Sequence, residues 1–248
     1  MEDNSKFQIL SGSWLKVIAM VSMFIDHAAL VLMSGNPNHH IPYFSIGHYN
    51  ITDYFICRGI IGRIAFPIFA FLLVEGYRYT KSRKKYALNL LVFAMLSTIP
   101  WNLIHGSIVY HSSFNVFFTL FVGVIGMMMI DNITISYKDT SKIPLIKSIG
   151  FVIFLLAIRF LRLDYGIVGV AYIVLLHLLQ GNILGQFAAT LATFSYSRFH
   201  YTNFLAFIPI MLYNGKRGFI RGKVGKYIMY TFYPLHLLFL WWIKGRLF

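Results

Sequence analysis

Apolar runs of roughly 20 residues, the length a helix needs to cross a bilayer, alternate with short polar segments along the whole chain. The pattern predicts spans at 14–33, 60–78, 86–105, 114–131, 144–162, 166–180, 183–194, 202–213 and 226–243. The runs 183–194 and 202–213 are short. Either they are two tilted half-spans or one is re-entrant, so eight or nine crossings are expected. The reading is an all-α, polytopic integral membrane protein, with one transmembrane domain over 1–248 and a short polar N-terminal segment, 1–13. No internal repeat, low-complexity tract or linker divides it.

Basic residues set the expected orientation. Segment 78–85 carries Arg78, Lys81, Arg83, Lys84 and Lys85; segment 131–147 carries Lys138, Lys142 and Lys147; segment 214–226 carries Lys216, Arg217, Arg221, Lys223 and Lys226. Cytoplasmic loops are enriched in Lys and Arg. With nine spans, all three segments fall on one side together with the N-terminus, which predicts a multi-pass protein of the inner or plasma membrane with a cytoplasmic N-terminus. Arg159 and Arg162 fall on the opposite side and break the pattern. The largest outer loop, 34–59, holds His39, His40, His48, Asp53 and Arg58.

Composition agrees. Of 248 residues 58% are hydrophobic and 12% charged, with a mean hydropathy of +0.66; soluble domains carry about 25% charged residues. The 22 Lys and Arg outweigh 8 Asp and Glu, a net charge of +14. No groove-reading motif accompanies that charge, so the expected surface partner is the lipid bilayer and not nucleic acid. The single Cys57 excludes an internal disulfide framework and a Cys-based metal site. The first apolar run is too long for a signal-peptide core and lacks a small-residue cleavage site, so it reads as a retained helix.

A charge at mid-membrane costs about 2.5–3.5 kcal/mol on insertion scales, so the few polar residues inside the runs mark ion pairs, wet cavities or sites. Asp26 and His27 are adjacent in the first span. Neighbours on a helix point about 100° apart, so each needs a partner from another helix. For Asp26 the alternatives are a helix-locking ion pair or a site role. For His27 they are a hydrogen-bonded core imidazole or a group that carries a proton near neutral pH. Arg63 opens the second span, in Gly62-Arg63-Ile64-Ala65-Phe66-Pro67, and Glu75 lies near its other end. Arg63, joined by Arg58, suits Asp26 or an anionic ligand, or it snorkels to the interface.

Asn102 and Asn115 stand at helix ends, as caps or as pocket groups. Asp164, in Asp164-Tyr165-Gly166-Ile167-Val168-Gly169, is an N-cap or part of a polar patch. Asn214-Gly215-Lys216-Arg217-Gly218 opens a basic, glycine-rich loop of the kind whose amides and cations hold phosphates, or it is a simple positive anchor. Tyr233-Pro234-Leu235-His236 puts a second histidine inside the last span. HExxH, GxSxG and GxxxxGK[ST] are absent. His39, His40 and His48 lack an acidic or Cys cluster beside them, so no metal is expected.

These segments, together with Leu15-Lys16-Val17-Ile18-Ala19-Met20 leading to Ile25-Asp26-His27, with Asn115-Val116-Phe117-Phe118-Thr119-Leu120 and with Leu212-Tyr213-Asn214, run in order from about residue 14 to 243. As an ordered set they resemble the TraX family, whose named member is an acetylase of conjugative pilin, and which looks like part of a broad superfamily of transmembrane acyltransferases that use acyl-CoA. The resemblance implies acetyl transfer from cytosolic acetyl-CoA to an acceptor in or across the membrane: a peptide, a protein N-terminus or a glycan. It implies His27 as base. Asp26 and Arg63 then complete the reacting end. Lys216, Arg217, Asn214 and Lys84 are expected to hold the CoA phosphates, and Glu75, Asn102, Asn115, Asp164, Tyr233 and His236 to line the pocket. Family members occur in many bacteria without an obvious conjugative pilus, so the acceptor stays open. The rival readings are a proton-coupled transporter, against which the missing internal symmetry speaks, and a non-catalytic membrane scaffold.

Overall fold

The computed structural model describes residues 8–46, 49–109, 111–136, 141–195 and 201–247. His48, Lys138 and most of segment 1–13 lie outside the described residues. The secondary structure of the described residues is helical apart from one small hairpin: α1 Gly12–Ala28, continued by a wider π-helical turn Ala29–Met33; β1 Phe44–Ile46 and β2 Tyr49–Ile51; α2 Ala65–Tyr79, entered through a π-helical run Phe55–Ile61 and a tight turn Gly62–Ile64; α3 Arg83–Leu96; α4 Thr98–Ile104; α5 Val116–Ser136; α6 Ile143–Ile158; α7 Gly166–Leu178; α8 Ile183–Phe194; α9 Phe207–Met211; and α10 Gly222–Leu247. In the hairpin Phe44 pairs antiparallel with Ile51.

Among the described residues three helices are long and apolar enough to cross a membrane: Gly12–Met33, Phe55–Tyr79 and Val116–Ile135. A fourth is added if α3 and α4, which meet at a 41° bend, form one span. Segments Ile143–Ile158, Gly166–Leu178, Ile183–Phe194 and Thr202–Met211 are apolar but shorter, at 10–17 residues. Proline explains two departures from the sequence pattern. Pro100 has no N–H to offer the carbonyl of Leu96, so the run 86–105 breaks between α3 and α4. Pro209 likewise leaves Leu205 without its helical donor, and the run 202–213 becomes a tight 3₁₀ stretch followed by the five residues of α9.

The outward faces are apolar. Leu88, Val92 and Met95 on α3, Leu145, Ile149, Val152, Ile153 and Leu156 on α6, and Leu235, Phe239, Trp241 and Trp242 on α10 are all exposed. Contiguous apolar surface on this scale marks contact with lipid or another partner. The interior, by contrast, buries Ser22, His27, Asn102, Asn115, Thr119, Gln186, Thr190, Asn203 and His236. One apolar cluster running from Leu15 to Leu240 packs α1, α2, α3, α5, α7 and α10 around them.

Two polar joints fix the ends of the helices. Asp131 near the end of α5 accepts from Tyr77 Oη at 3.0 Å, Arg83 Nη1 at 2.8 Å and His177 Nε2 at 2.9 Å, tying α2, α3, α5 and α7 together. The basic loop 212–220 is clamped onto the start of α1. Leu10 N–H donates to the carbonyl of Leu212 at 2.8 Å, Asn214 N–H to that of Leu10 at 2.9 Å and Gly12 N–H to that of Lys216 at 2.7 Å. Ser13 Oγ donates to the Arg217 carbonyl at 2.8 Å and accepts from Ile220 N–H at 2.6 Å. The clamp turns on Gly218, whose φ of +78° favours a residue without Cβ.

In the 34–59 loop Asp53 accepts from Tyr43 Oη at 2.5 Å and faces His39 Nδ1 at 3.4 Å, while His40 Nε2 bonds the Ser34 carbonyl at 3.2 Å. The Tyr43 hydroxyl, then His39, hold the exposed Asp53 carboxyl below the ordinary carboxylate range. Among the described residues no group of three or more His, Cys, Asp or Glu stands together in a way that could hold a metal ion.

Candidate active site

A cavity of about 830 Å³ runs inside the helices. At one end it is lined by Asp26, His27, Arg58, Arg63, Asp164 and Tyr165; toward the other by Lys16, Lys81, Arg217, Arg221 and Lys226. Lys16 and His27 sit on the same helix eleven residues apart, so the two ends are separated by roughly 16 Å along the axis at about 1.5 Å per residue. Met23, Phe69, Leu72, Leu73, Leu90 and Tyr230 form much of the wall between them. The result is a cavity with cations gathered toward one end, apolar side chains along its middle, and two guanidinium and two carboxyl groups at the other end.

Local structure explains how the inner end is built. The π-helical turn after Ala28 and the π-helical run before Gly62 widen the helical ladder on either side of Asp26, His27, Arg58 and Arg63, a departure from α geometry that recurs at functional sites. Ser22 Oγ donates to the Ile61 carbonyl at 2.6 Å, drawing α1 against the entry to α2. Gly62 permits the contact: a Cβ there would stand 2.6 Å from Asp26 Cβ and 2.9 Å from its Cγ. Replacing Gly62 with Ala is therefore expected to push the Asp26 carboxylate away and lower the melting temperature, measured in detergent by intrinsic fluorescence, by an amount equivalent to about 1–3 kcal/mol.

Asp26 Oδ1 lies 3.9 Å from Arg58 Nε, and Arg63 is the stronger electrostatic neighbour of both Asp26 and Asp164. Arg63 also hydrogen-bonds Tyr165, whose ring stacks on Phe66 with centroids 3.7 Å apart. The inner end thus holds two arginines near two carboxylates, and Asp26 Oδ1, Arg58 Nε and Arg63 Nε are buried there without a hydrogen-bond partner among the described residues.

His27 is 7% exposed, and its ring meets Trp101 and Tyr233 edge-on. Its Nδ1 lies 2.7 Å from Nε2 of His236, which does not line the cavity. Glu75 and Tyr233 do line it.

The two asparagines are engaged elsewhere. Asn115 caps α5 through the Phe117 N–H at 3.1 Å and donates to the Ala94 carbonyl at 2.8 Å; Asn102 donates to the Val109 carbonyl at 3.1 Å. Neither reaches the cavity, so the charge-stabilising groups at the inner end are Arg58 and Arg63. Of the four residues expected at the phosphates, only Arg217 lines the cavity. Asn214 Oδ1 accepts from Lys216 N–H at 3.0 Å and Ile220 N–H is taken by Ser13, so these loop amides close the turn and are not left for a ligand. Lys16, Arg221 and Lys226 occupy the mouth in their place. Lys16 lies within the first apolar run, Arg221 and Lys226 were read only as charges that set orientation, and only the packing of α10 beside α1 brings Lys16 and Lys226 together.

Residues 11–244 match the model of a protein family described as TraX protein. Over 257 aligned residues the chain is 26% identical to the probable fimbrial assembly protein FimC, serogroup H1, of Dichelobacter nodosus, an alignment that spans 93% of this chain and 94% of that protein. No solved structure matches.

Proposed function

This chain belongs to the TraX family, and from that premise we propose that it is a membrane-embedded acetyltransferase that moves an acetyl group from cytosolic acetyl-CoA to an amine or hydroxyl. The observation that carries the reading is the cavity itself: an imidazole and two guanidinium groups at one end, a cluster of cations at the other, and a passage walled by apolar side chains between. Acetyl-CoA has the matching parts. Its phosphates suit Lys16, Arg217, Arg221 and Lys226, and its long arm suits the passage.

In this mechanism His27 takes the proton of the acceptor N–H or O–H. The freed lone pair attacks the thioester carbonyl, and the oxyanion forms beside Arg63 and Arg58 in a site of low dielectric. Collapse breaks the C–S bond, the sulfur leaves as thiolate, and the imidazolium returns its proton to it. Asp26 and Asp164 hold the guanidinium groups in place. The exposed apolar belt supports a multi-pass setting, and the positive-inside rule puts the cationic mouth and the N-terminus in the cytoplasm, where acetyl-CoA is available. The acceptor is a peptide, a protein N-terminus or a glycan. The name of the Dichelobacter relative makes a fimbrial subunit the first acceptor to try.

The test is saturable binding of acetyl-CoA to purified protein, followed by loss of the acetyl group when candidate amines or alcohols are added. Absence of binding at millimolar acetyl-CoA overturns the proposal. A narrower expectation concerns the mouth. Arg217→Glu combined with Arg221→Glu should raise KM for acetyl-CoA by about tenfold or more with kcat within about twofold, and the parent's KM should climb with salt, because exposed charges are screened within about 10 Å at 0.1 M.

A further inference from the structure

The hydrogen bonds around His236 settle which nitrogen of His27 carries a proton. His236 Nδ1 lies 2.8 Å from the carbonyl oxygen of Phe232, one turn earlier on α10. A carbonyl only accepts, so Nδ1 of His236 is protonated and, in the neutral ring, its Nε2 is a bare acceptor. Nε2 stands 2.7 Å from Nδ1 of His27, so the proton in that bond belongs to His27 Nδ1. Nε2 of His27 is then the unprotonated nitrogen. Among the described residues it has no hydrogen-bond partner, and the ring lines the cavity.

The relay is rigidly held. The two imidazoles meet edge to edge through this bond, with centroids 5.0 Å apart and planes 26° from parallel, and the Phe232 ring lies nearly parallel to His236 at 4.8 Å. Among the described residues no carboxylate reaches His27 Nδ1: Asp26 lies toward Arg58 and Arg63. The orienting group that a carboxylate commonly supplies to a basic histidine is here a second histidine on a helix 209 residues away.

We infer that His236 is the positioning residue of this site: it fixes His27 in the Nδ1–H tautomer, leaves Nε2 to receive the acceptor's proton, and shares the resulting charge. The inference rests on the acetyltransferase reading for its kinetic consequence only. When His27 Nε2 gains a proton, the Nδ1 proton can pass to His236 Nε2. That leaves His27 neutral and protonated at Nε2, and leaves His236 as an imidazolium whose Nδ1–H still donates to the Phe232 carbonyl. One proton arrives and none is lost from the pair.

The experiment uses full-length protein in lipid nanodiscs with ¹⁵N-labelled histidine, the His27 signals being assigned by difference against His27→Asn. The expected spectrum has His27 protonated at Nδ1 and bare at Nε2. His236→Leu, which fills the space without an acceptor, should mix the two tautomers and lower kcat for acetyl transfer by about 100-fold, with KM for acetyl-CoA within about twofold. His236→Gln, whose amide oxygen can accept from His27 Nδ1–H, should restore the Nδ1–H signal and raise kcat at least about tenfold above the leucine variant. A parent spectrum with His27 protonated at Nε2 overturns the inference, as does a folded His236→Leu protein with an unchanged tautomer. If the protein transfers no acetyl group while the spectrum is as expected, the tautomer assignment stands and the enzymatic reading alone fails.

Discussion

Replacing His27 by Gln is expected to reduce the acetyl-transfer rate by about 10³-fold, within the range of about 10²–10⁴ that a positioned general base contributes, with little change in acetyl-CoA affinity. The reason for a selective effect lies in the length of the passage. The cations that attract the donor are gathered around Lys16 and Arg217, roughly 16 Å from the imidazole along α1, so removing the base leaves the mouth intact. Gln retains a hydrogen-bonding amide near the volume of the ring, which limits collapse of the cavity against Trp101 and Tyr233. Single-turnover measurements with pre-bound acetyl-CoA separate the chemical step from binding. A His27→Gln protein that transfers acetyl groups at the parent rate removes His27 from the mechanism.

The second large effect is expected at Arg63. Substitution by Met takes away the guanidinium that Asp26 and Asp164 share, and leaves two carboxylates facing each other across the inner end with Arg58 alone to balance them. Breaking a buried ion pair from one side costs about 3–5 kcal/mol, because the surviving charge is left without compensation. The melting temperature in detergent should fall accordingly, and the rate should fall with it through loss of the oxyanion partner. The two consequences can be separated. Pairing Arg63→Met with Asp26→Asn should recover most of the stability, since the uncompensated charge is gone, and none of the rate. Recovery of both would make Arg63 a structural residue only.

What a linear reading could and could not reach follows from the kind of information each feature needs. The apolar runs expose α1, α2 and α5, because a helix in lipid must be apolar for its full length. They overstate the 86–105 and 202–213 spans, because hydropathy carries no term for the donor missing at Pro100 and Pro209. Asp26, His27, Arg63 and Glu75 stood out as ionisable groups in or beside apolar runs, Asp164 as a cap or patch residue and Tyr233 as a neighbour of His236, and all six line one cavity. Asn102 and Asn115 stood out as helix-end groups, caps or pocket residues, and their amides serve the carbonyls of Val109 and Ala94. Polarity in an apolar run does not distinguish a ligand from a cap. The partnership of His27 with His236 had no signal at all, since residues 209 apart are joined only by the crossing of α1 and α10. Asp131 and His177 went unremarked for a related reason: each sits at the end of its run, where a charge costs little and draws no attention, although together they bind four helices.

The clamp of the basic loop on the start of α1 has a consequence for biogenesis. Ser13 and the Arg217 carbonyl it bonds are 204 residues apart, and a contact of that sequence separation closes late, since the entropy of so long a loop must be overcome first. During synthesis α1 emerges at the start and then waits, its first turn unclamped, until nearly the whole polypeptide has followed it. A nascent chain stopped before residue 212 holds Asp26, His27 and Arg63 but neither the donor-side loop nor α10. The clamp therefore closes only after the loop 212–220 is made, and crosslinking between cysteines introduced at positions 13 and 217 in stalled chains of increasing length would time that closure.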